Sequence, residues 1–163
     1  MHYYILNIML AIFWAVATGT FNLTNLIVGF CLGYAALLLA RGVFGPSAYF
    51  ITMLRAVNFI AFFLKEVLIA NLRVAHDVVT PPFYMQPRVI ALPLDAETDI
   101  EITLLANLIS LTPGTLSLDV SADRSVLYVH AMYAADAEAA RREMKEGMEQ
   151  RLLMLLRGVR SED

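Results

Sequence analysis

Hydrophobic and polar positions divide this chain unevenly. From Met1 to Ala40 there is no Asp, Glu, Lys or Arg, whereas the stretch from Asp95 to Asp163 carries many charges of both signs. A charge in hydrocarbon costs several kcal/mol, so a long charge-free run of Leu, Ile, Phe and Val reads as a membrane-embedded half followed by a water-facing one. Three apolar segments can be drawn, at about residues 3–17, 23–40 and 48–71. Thr18-Gly19-Thr20 with Asn22 and Asn25 makes a polar corner after the first; Arg41-Gly42 with Gly45-Pro46 stops the second and starts the third. A spanning helix needs about 20 apolar residues, so the first segment is marginal and two to three transmembrane helices are expected. Gly29 and Gly33 form a G-x-x-x-G, which either lets a neighbouring helix approach closely or reflects only the frequency of glycine in membrane helices.

In the third segment the charges follow the helical period. At about 100° per residue, Arg55, Glu66, Arg73 and Asp77 fall on one line, and Phe59 and Phe62 share it. Ile51, Val57, Ile60, Ala61, Leu64 and Leu68 occupy the remainder, which can meet lipid. The stripe of Arg55, Phe59, Phe62, Glu66 and Arg73 reads as a docking face for a larger membrane partner; the alternatives are a helix rising out of the bilayer with snorkelling ends, and a proton relay at Glu66. Lys65, Arg73 and Arg88 follow the segment against Arg41 in the loop before it, a bias that places the C-terminal half in the cytoplasm.

Thr80-Pro81-Pro82 ends the long helix, because proline cannot donate to it and restricts the residue before it. An anchor at 1–80 and a cytoplasmic domain at 81–163 follow. Arg88 to Leu94 reads as a short strand near an edge; Thr98 with Glu101 is a capping box that starts a helix at Asp99, running to about Ser110. Leu116, Leu118 and Val120 alternate with polar residues, and Val126 to Val129 follow a turn, which makes a hairpin. Asp136 caps a last helix carrying Ala140, Met144, Gly147, Met148, Leu152, Leu155 and Val159 at helical spacing. The order β-α-β-β-α describes a small α+β domain, a truncated ferredoxin-like module.

Composition narrows the function classes. At 163 residues and 59% hydrophobic content, the chain has room for a membrane anchor and a small domain, but not for a transport pathway of its own. Net charge is +2 up to Thr80 and −5 after it, giving the total of −3; an acidic domain is a poor nucleic-acid binder. The lone Cys31 excludes a disulfide framework within the chain. Ala15-Val16-Ala17 offers a signal-peptidase pattern, but no Lys or Arg precedes it and the apolar sequence resumes at Phe21, so cleavage is not expected.

Catalytic motifs are scarce. There is no P-loop, dinucleotide turn, H-E-x-x-H or nucleophile elbow, and His2, His76 and His130 are dispersed, so no catalytic residue, metal site or cofactor is expected. His130 ends the second hairpin strand in a structural role, and a hydrolase built on His130 and Asp119 would lack a nucleophile. Thr112-Pro113-Gly114-Thr115 is the strongest local signal: proline blocks further helix and glycine supplies permissive backbone angles for the turn into the hairpin.

Leu104-Leu105-Ala106-Asn107, Ile109-Ser110-Leu111-Thr112-Pro113-Gly114-Thr115 and Leu127-Tyr128-Val129-His130 resemble the signature of the E subunit of the multisubunit cation/proton antiporters called Mrp, Mnh or Pha. The resemblance extends upstream through Glu66, Asn71, Val74-Ala75 and Pro81, and the family more often has threonine where Ser110 stands. It implies a non-catalytic accessory subunit in a bacterial or archaeal inner membrane, supporting assembly and activity of large ion-translocating subunits that exchange sodium for protons. Its partners would be those large antiporter-like subunits, small membrane subunits and the lipid bilayer. Asn107, Thr112, Pro113, Gly114, Thr115 and His130 are then structural signature residues, with no catalytic residue to carry over. A stand-alone membrane-tethered binding or regulatory module is the alternative.

Overall fold

The computed structural model describes residues 2–44, 48–80 and 85–157. The expected break at Gly45-Pro46, the hinge at Pro81-Pro82 and the end of the last helix at Val159 lie outside these residues. Packing divides the chain into two compact units, residues 1–54 and 55–163. The division falls within a helix rather than at residue 80, because the later part of that helix packs against the C-terminal domain.

The first unit is a helical hairpin. Helices α1 (His2–Ala17) and α2 (Leu23–Leu39) run antiparallel, joined by the polar corner, and the short α3 (Arg41–Phe44) follows. Asn22 caps α2 by accepting from the Asn25 N–H at 2.7 Å, and the Asn25 side chain bonds Thr18 and Thr20 while accepting from Trp14 Nε1 at 3.0 Å. Those bonds satisfy most of the corner within itself. Gly29 and Gly33 are both buried on α1: a β-carbon on Gly29 would stand 2.9 Å from the Ala11 carbonyl oxygen, and one on Gly33 would collide with Asn7 Oδ1. Close approach is therefore the reading of the G-x-x-x-G that holds. Fully buried Asn7 donates to the Tyr49 hydroxyl at 2.6 Å, inside a cluster of Tyr3, Tyr4, Tyr34 and Phe50.

The third segment becomes α4 (Ala48–Val79), longer at its C-terminal end than the apolar run. Among the described residues, no helix is long and apolar enough to cross a membrane. Helices α1 and α2 are charge-free but only 16 and 17 residues long, and α4 has the length but carries five charged side chains.

The second unit adds a three-stranded antiparallel sheet in the order β1-β3-β2, from β1 (Arg88–Pro93), β2 (Thr115–Val120) and β3 (Val126–Ala131). Placing β3 between β1 and β2 is the split β-α-β arrangement of a ferredoxin-like module without its fourth strand. Pro93, whose nitrogen has no hydrogen to donate, sits at the end of an edge strand. Helix α5 (Asp99–Leu111) starts at the Thr98–Glu101 capping box. The last helix is continuous in three parts: α6 (Ala137–Arg142), a π-helical stretch (Glu143–Glu149) and α7 (Gln150–Leu156). Asp136 caps it, accepting from Glu138 and Ala139 N–H groups.

Alternation sends Leu127 and Val129 of β3 and Leu92 of β1 to one face, where they meet Leu105 and Ile109 of α5 and Met148 and Leu152 of the last helix. Phe59 and Phe63 of α4 pack against this cluster. A bulge between Ser117 and Asp119 interrupts the alternation of β2. Before the bulge Leu116 is exposed while Ser117 faces α5, donating to the Ala106 carbonyl at 2.9 Å; after it Val120 turns inward. Leu118, in the bulge, is exposed as well.

Candidate functional site

The signature turn is held by its own hydroxyls. Thr112 ends α5, its N–H reaching the Ile109 carbonyl at 3.1 Å and its Oγ1 the Leu108 carbonyl at 3.2 Å. Thr115 Oγ1 lies 2.5 Å from the Ile109 carbonyl and 2.9 Å from that of Thr112, so the last turn of α5 is closed by two threonines. Gly114 has φ +89°, and a β-carbon there would stand 3.2 Å from the ring of Tyr133. Its carbonyl accepts from the Met132 N–H at 2.7 Å, tying the turn to the segment after β3.

That turn is one wall of a groove of about 750 Å³ inside the second unit. The facing wall is α4, through Phe62, Glu66, Ile69, Ala70 and Arg73, and the floor is the last helix, through Arg142, Glu143, Glu146, Gly147 and Arg151. Phe62 approaches Gly147 of the last helix, and the Arg151 guanidinium sits 4.4 Å from the centre of the Phe62 ring. Arg73 lies 5.5 Å from the ring centre of Tyr133. Burial, with the Asp77 carboxylate nearby, pushes the Tyr133 phenol above its usual range, opposed by Arg73. The Tyr133 hydroxyl and the Asp77 carboxylate are both buried, and they interact with each other.

Much of the stripe read from the sequence as a docking face is used inside the chain. Phe59 joins the core, Phe62 packs beneath Arg151, and Arg55 Nη1 donates to the Met154 carbonyl at 3.3 Å. Part of that polar and aromatic helix face is thus covered by the chain's own C-terminal domain. Glu66 and Arg73 remain on the open groove. The structure brings them together with Thr112, Pro113, Gly114 and Thr115, and leaves two signature residues apart. Asn107 is exposed on α5, and His130 lies on the sheet face away from the helices, in register with Val89 and Leu116.

Two further residues hold the domain: Glu149, which the sequence pairs with Lys145 at four-residue spacing without showing its burial, and Arg157, which the sequence reading missed. Glu149 is fully buried; its Oε1 accepts from Asp95 N–H at 2.6 Å and Ala96 N–H at 3.0 Å, and its Oε2 lies 2.7 Å from Lys145 Nζ. The π-helical stretch, with its wider turn, ends at this residue, and Met148 beside it is buried too. Arg157 pairs with Glu101.

Alternating signs around the groove suit a polar protein segment better than a phosphate, whose charge Glu66, Glu143 and Glu146 would repel. No group of three or more His, Cys, Asp or Glu side chains able to hold a metal ion occurs among the described residues.

The sequence profile of a family described as Na+/H+ ion antiporter subunit matches residues 7–155. The chain is similar to the E subunit of the Na(+)/H(+) antiporter of Bacillus subtilis (strain 168), 35% identical over 145 residues, which cover 89% of this chain and 92% of that protein. The corresponding E subunit of Alkalihalophilus pseudofirmus is 32% identical over 91% of this chain and 94% of its own. Among solved structures, a chain of the membrane-bound sulfane sulfur reductase, an archaeal respiratory membrane complex, shares the fold at a TM-score of 0.55 and 24% identity, covering 94% of this chain and 98% of that one.

Proposed function

Because the chain belongs to the family of Na+/H+ antiporter E subunits, we propose that it is a non-catalytic accessory subunit of a multisubunit antiporter in the cell membrane, supporting the assembly and activity of ion-translocating partner subunits. The α1–α2 hairpin embeds in the bilayer, and the α+β domain lies on the cytoplasmic side. The observation that carries an accessory role is the absence of any Asp, Glu, Lys or Arg from the first forty residues. Movement of Na+ or H+ through hydrocarbon needs ionisable or coordinating groups at depth, and the hairpin offers no carboxylate. In the second unit, buried Glu101 and Glu149 are committed to backbone N–H groups and to Arg157 and Lys145.

Embedding of the hairpin is supported by its outward surface, where Phe13, Val16, Leu23 and Leu39 are all largely exposed. At 1.5 Å per residue α1 and α2 reach about 25 Å, against a hydrocarbon core of about 30 Å, so the hairpin is a short span that thins the bilayer or draws flanking groups inward. The groove containing Glu66 and Arg73 is the contact offered to another subunit.

Affinity purification of the tagged chain from native membranes in mild detergent, with mass spectrometry of what accompanies it, tests the proposal. Large antiporter-like subunits should be recovered in stoichiometric amounts. Recovery of the chain alone, under conditions that keep other membrane complexes intact, would replace it with a stand-alone tethered module.

A further inference from the structure

From Arg55 onward α4 has two faces of opposite character. One carries Phe59 and Phe63 into the core of the C-terminal domain and aims Glu66 and Arg73 at the groove, across from Arg142, Glu146 and Arg151 of the last helix. The other carries Val57, Ile60, Leu64, Leu68 and Leu72, each more than half exposed, within an arc of about 120°. A helix that crossed the bilayer over this length would bring those groove charges into hydrocarbon with it, at several kcal/mol each. A helix in water would leave five large apolar side chains wet in a row.

We propose that α4 lies flat in the membrane–water interface between Val57 and Leu72, its apolar stripe against the acyl chains and the C-terminal domain standing above it in water. Two polar residues, one at the border of the stripe and one within it, fit lipid better than a protein partner. Lys65, exposed at the border of the stripe, is placed to reach lipid phosphate while its stem stays with the apolar surface. Asn71, within the arc, donates its side-chain N–H to the Val67 carbonyl of its own helix at 2.8 Å, which satisfies that hydrogen without water. The third apolar segment is thus an interfacial helix.

This inference rests on the membrane-bound reading above, and one experiment separates the two. The full-length chain carrying Cys31→Ser is reconstituted in phosphatidylcholine–phosphatidylglycerol nanodiscs and spin-labelled singly at Ile60→Cys, Leu64→Cys, Leu68→Cys or Leu72→Cys. Phe13→Cys and Val16→Cys on α1 serve as embedded references. Accessibility to oxygen and to a water-soluble nickel chelate gives the depth of each label. The expected result is one shallow depth shared by the four α4 positions. A graded depth, approaching the difference of about 18 Å that a spanning helix makes between residues 60 and 72, overturns the inference. Aqueous accessibility along α4 with lipid depth on α1 also overturns it, leaving a protein as the occupant of the stripe, while aqueous accessibility at all six positions overturns membrane embedding as well.

Discussion

Arg157 closes on Glu101 across 56 residues of sequence: its Nε donates to Oε1 at 2.7 Å and its Nη2 to Oε2 at 3.0 Å. The same carboxylate accepts the N–H groups of Glu97 and Thr98 at the start of α5, so one side chain joins a helix cap to the end of the last helix. The Arg157 guanidinium first, then these backbone donors, hold the Glu101 carboxyl well below its ordinary value of 4.5, against the effect of burial.

A depressed carboxyl pKa stabilises the fold fully above the unfolded-state value and loses that contribution as pH falls below it toward the folded-state value. Glu101→Gln should therefore lower stability at pH 7 by about 2 kcal/mol. The gap from the parent should narrow below about pH 4.5. Thermal melts of the full chain in detergent at pH 7 and pH 4 check this; a gap of equal size at both would mean that the ion pair contributes nothing.

Gly114 combines a backbone angle of +89° with a ring at 3.2 Å, so Gly114→Ala should cost about 2 kcal/mol through strain and displacement of Tyr133. Gly42, with open space around its α-carbon and no positive φ, is the matched control, and Gly42→Ala should change the melting temperature little. Equal melts for the two variants would remove the signature glycine's structural role.

Residues that repeat a period were legible in the sequence, and those that work over distance were not. The capping box at Thr98–Glu101, the cap at Asp136, the strand at Arg88 and the hairpin at Thr115–Ala131 are where local chemistry places them. Leu116 and Leu118 announced a strand by alternation, but a bulge set which face they took, and a bulge leaves no mark on a two-residue period. The stripe on α4 was legible as a polar and aromatic face; the identity of what covers Phe59 and Phe62 depends on a helix about 90 residues later. Glu149 was legible as the four-residue partner of Lys145, but not its burial against the Asp95 and Ala96 N–H groups at the end of the π-helical stretch.

The approach of α1 to α2 predicts a coupling. A methyl on Gly33 would meet Asn7 Oδ1 and would lie 3.1 Å from Leu10 Cβ, so Gly33→Ala should open the hairpin and weaken the Asn7–Tyr49 bond. In an Asn7→Ala background most of that obstruction is gone, and the two costs should fall short of additivity by about 1 kcal/mol. Unfolding of the four variants in a titration of sodium dodecyl sulfate reads the cycle; strict additivity would show that the helices do not meet at this layer.

Glu66 separates docking from proton transfer. It borders the groove with Arg73 facing the same space, and it belongs neither to the hydrophobic core cluster nor to any salt bridge found among the described residues. Glu66→Gln keeps the shape of the side chain and removes its charge, so the melting temperature of the isolated chain should move by no more than about 1 °C, within the small effect expected of a surface change. Recovery of partner subunits with the tagged chain should fall severalfold, because a charge pair facing a partner would be lost where solvent is excluded. Sodium-driven proton exchange in membrane vesicles, normalised to the amount of assembled complex, should then be unchanged. Full recovery of partners together with altered proton coupling per complex would reverse the assignment and make Glu66 a relay group.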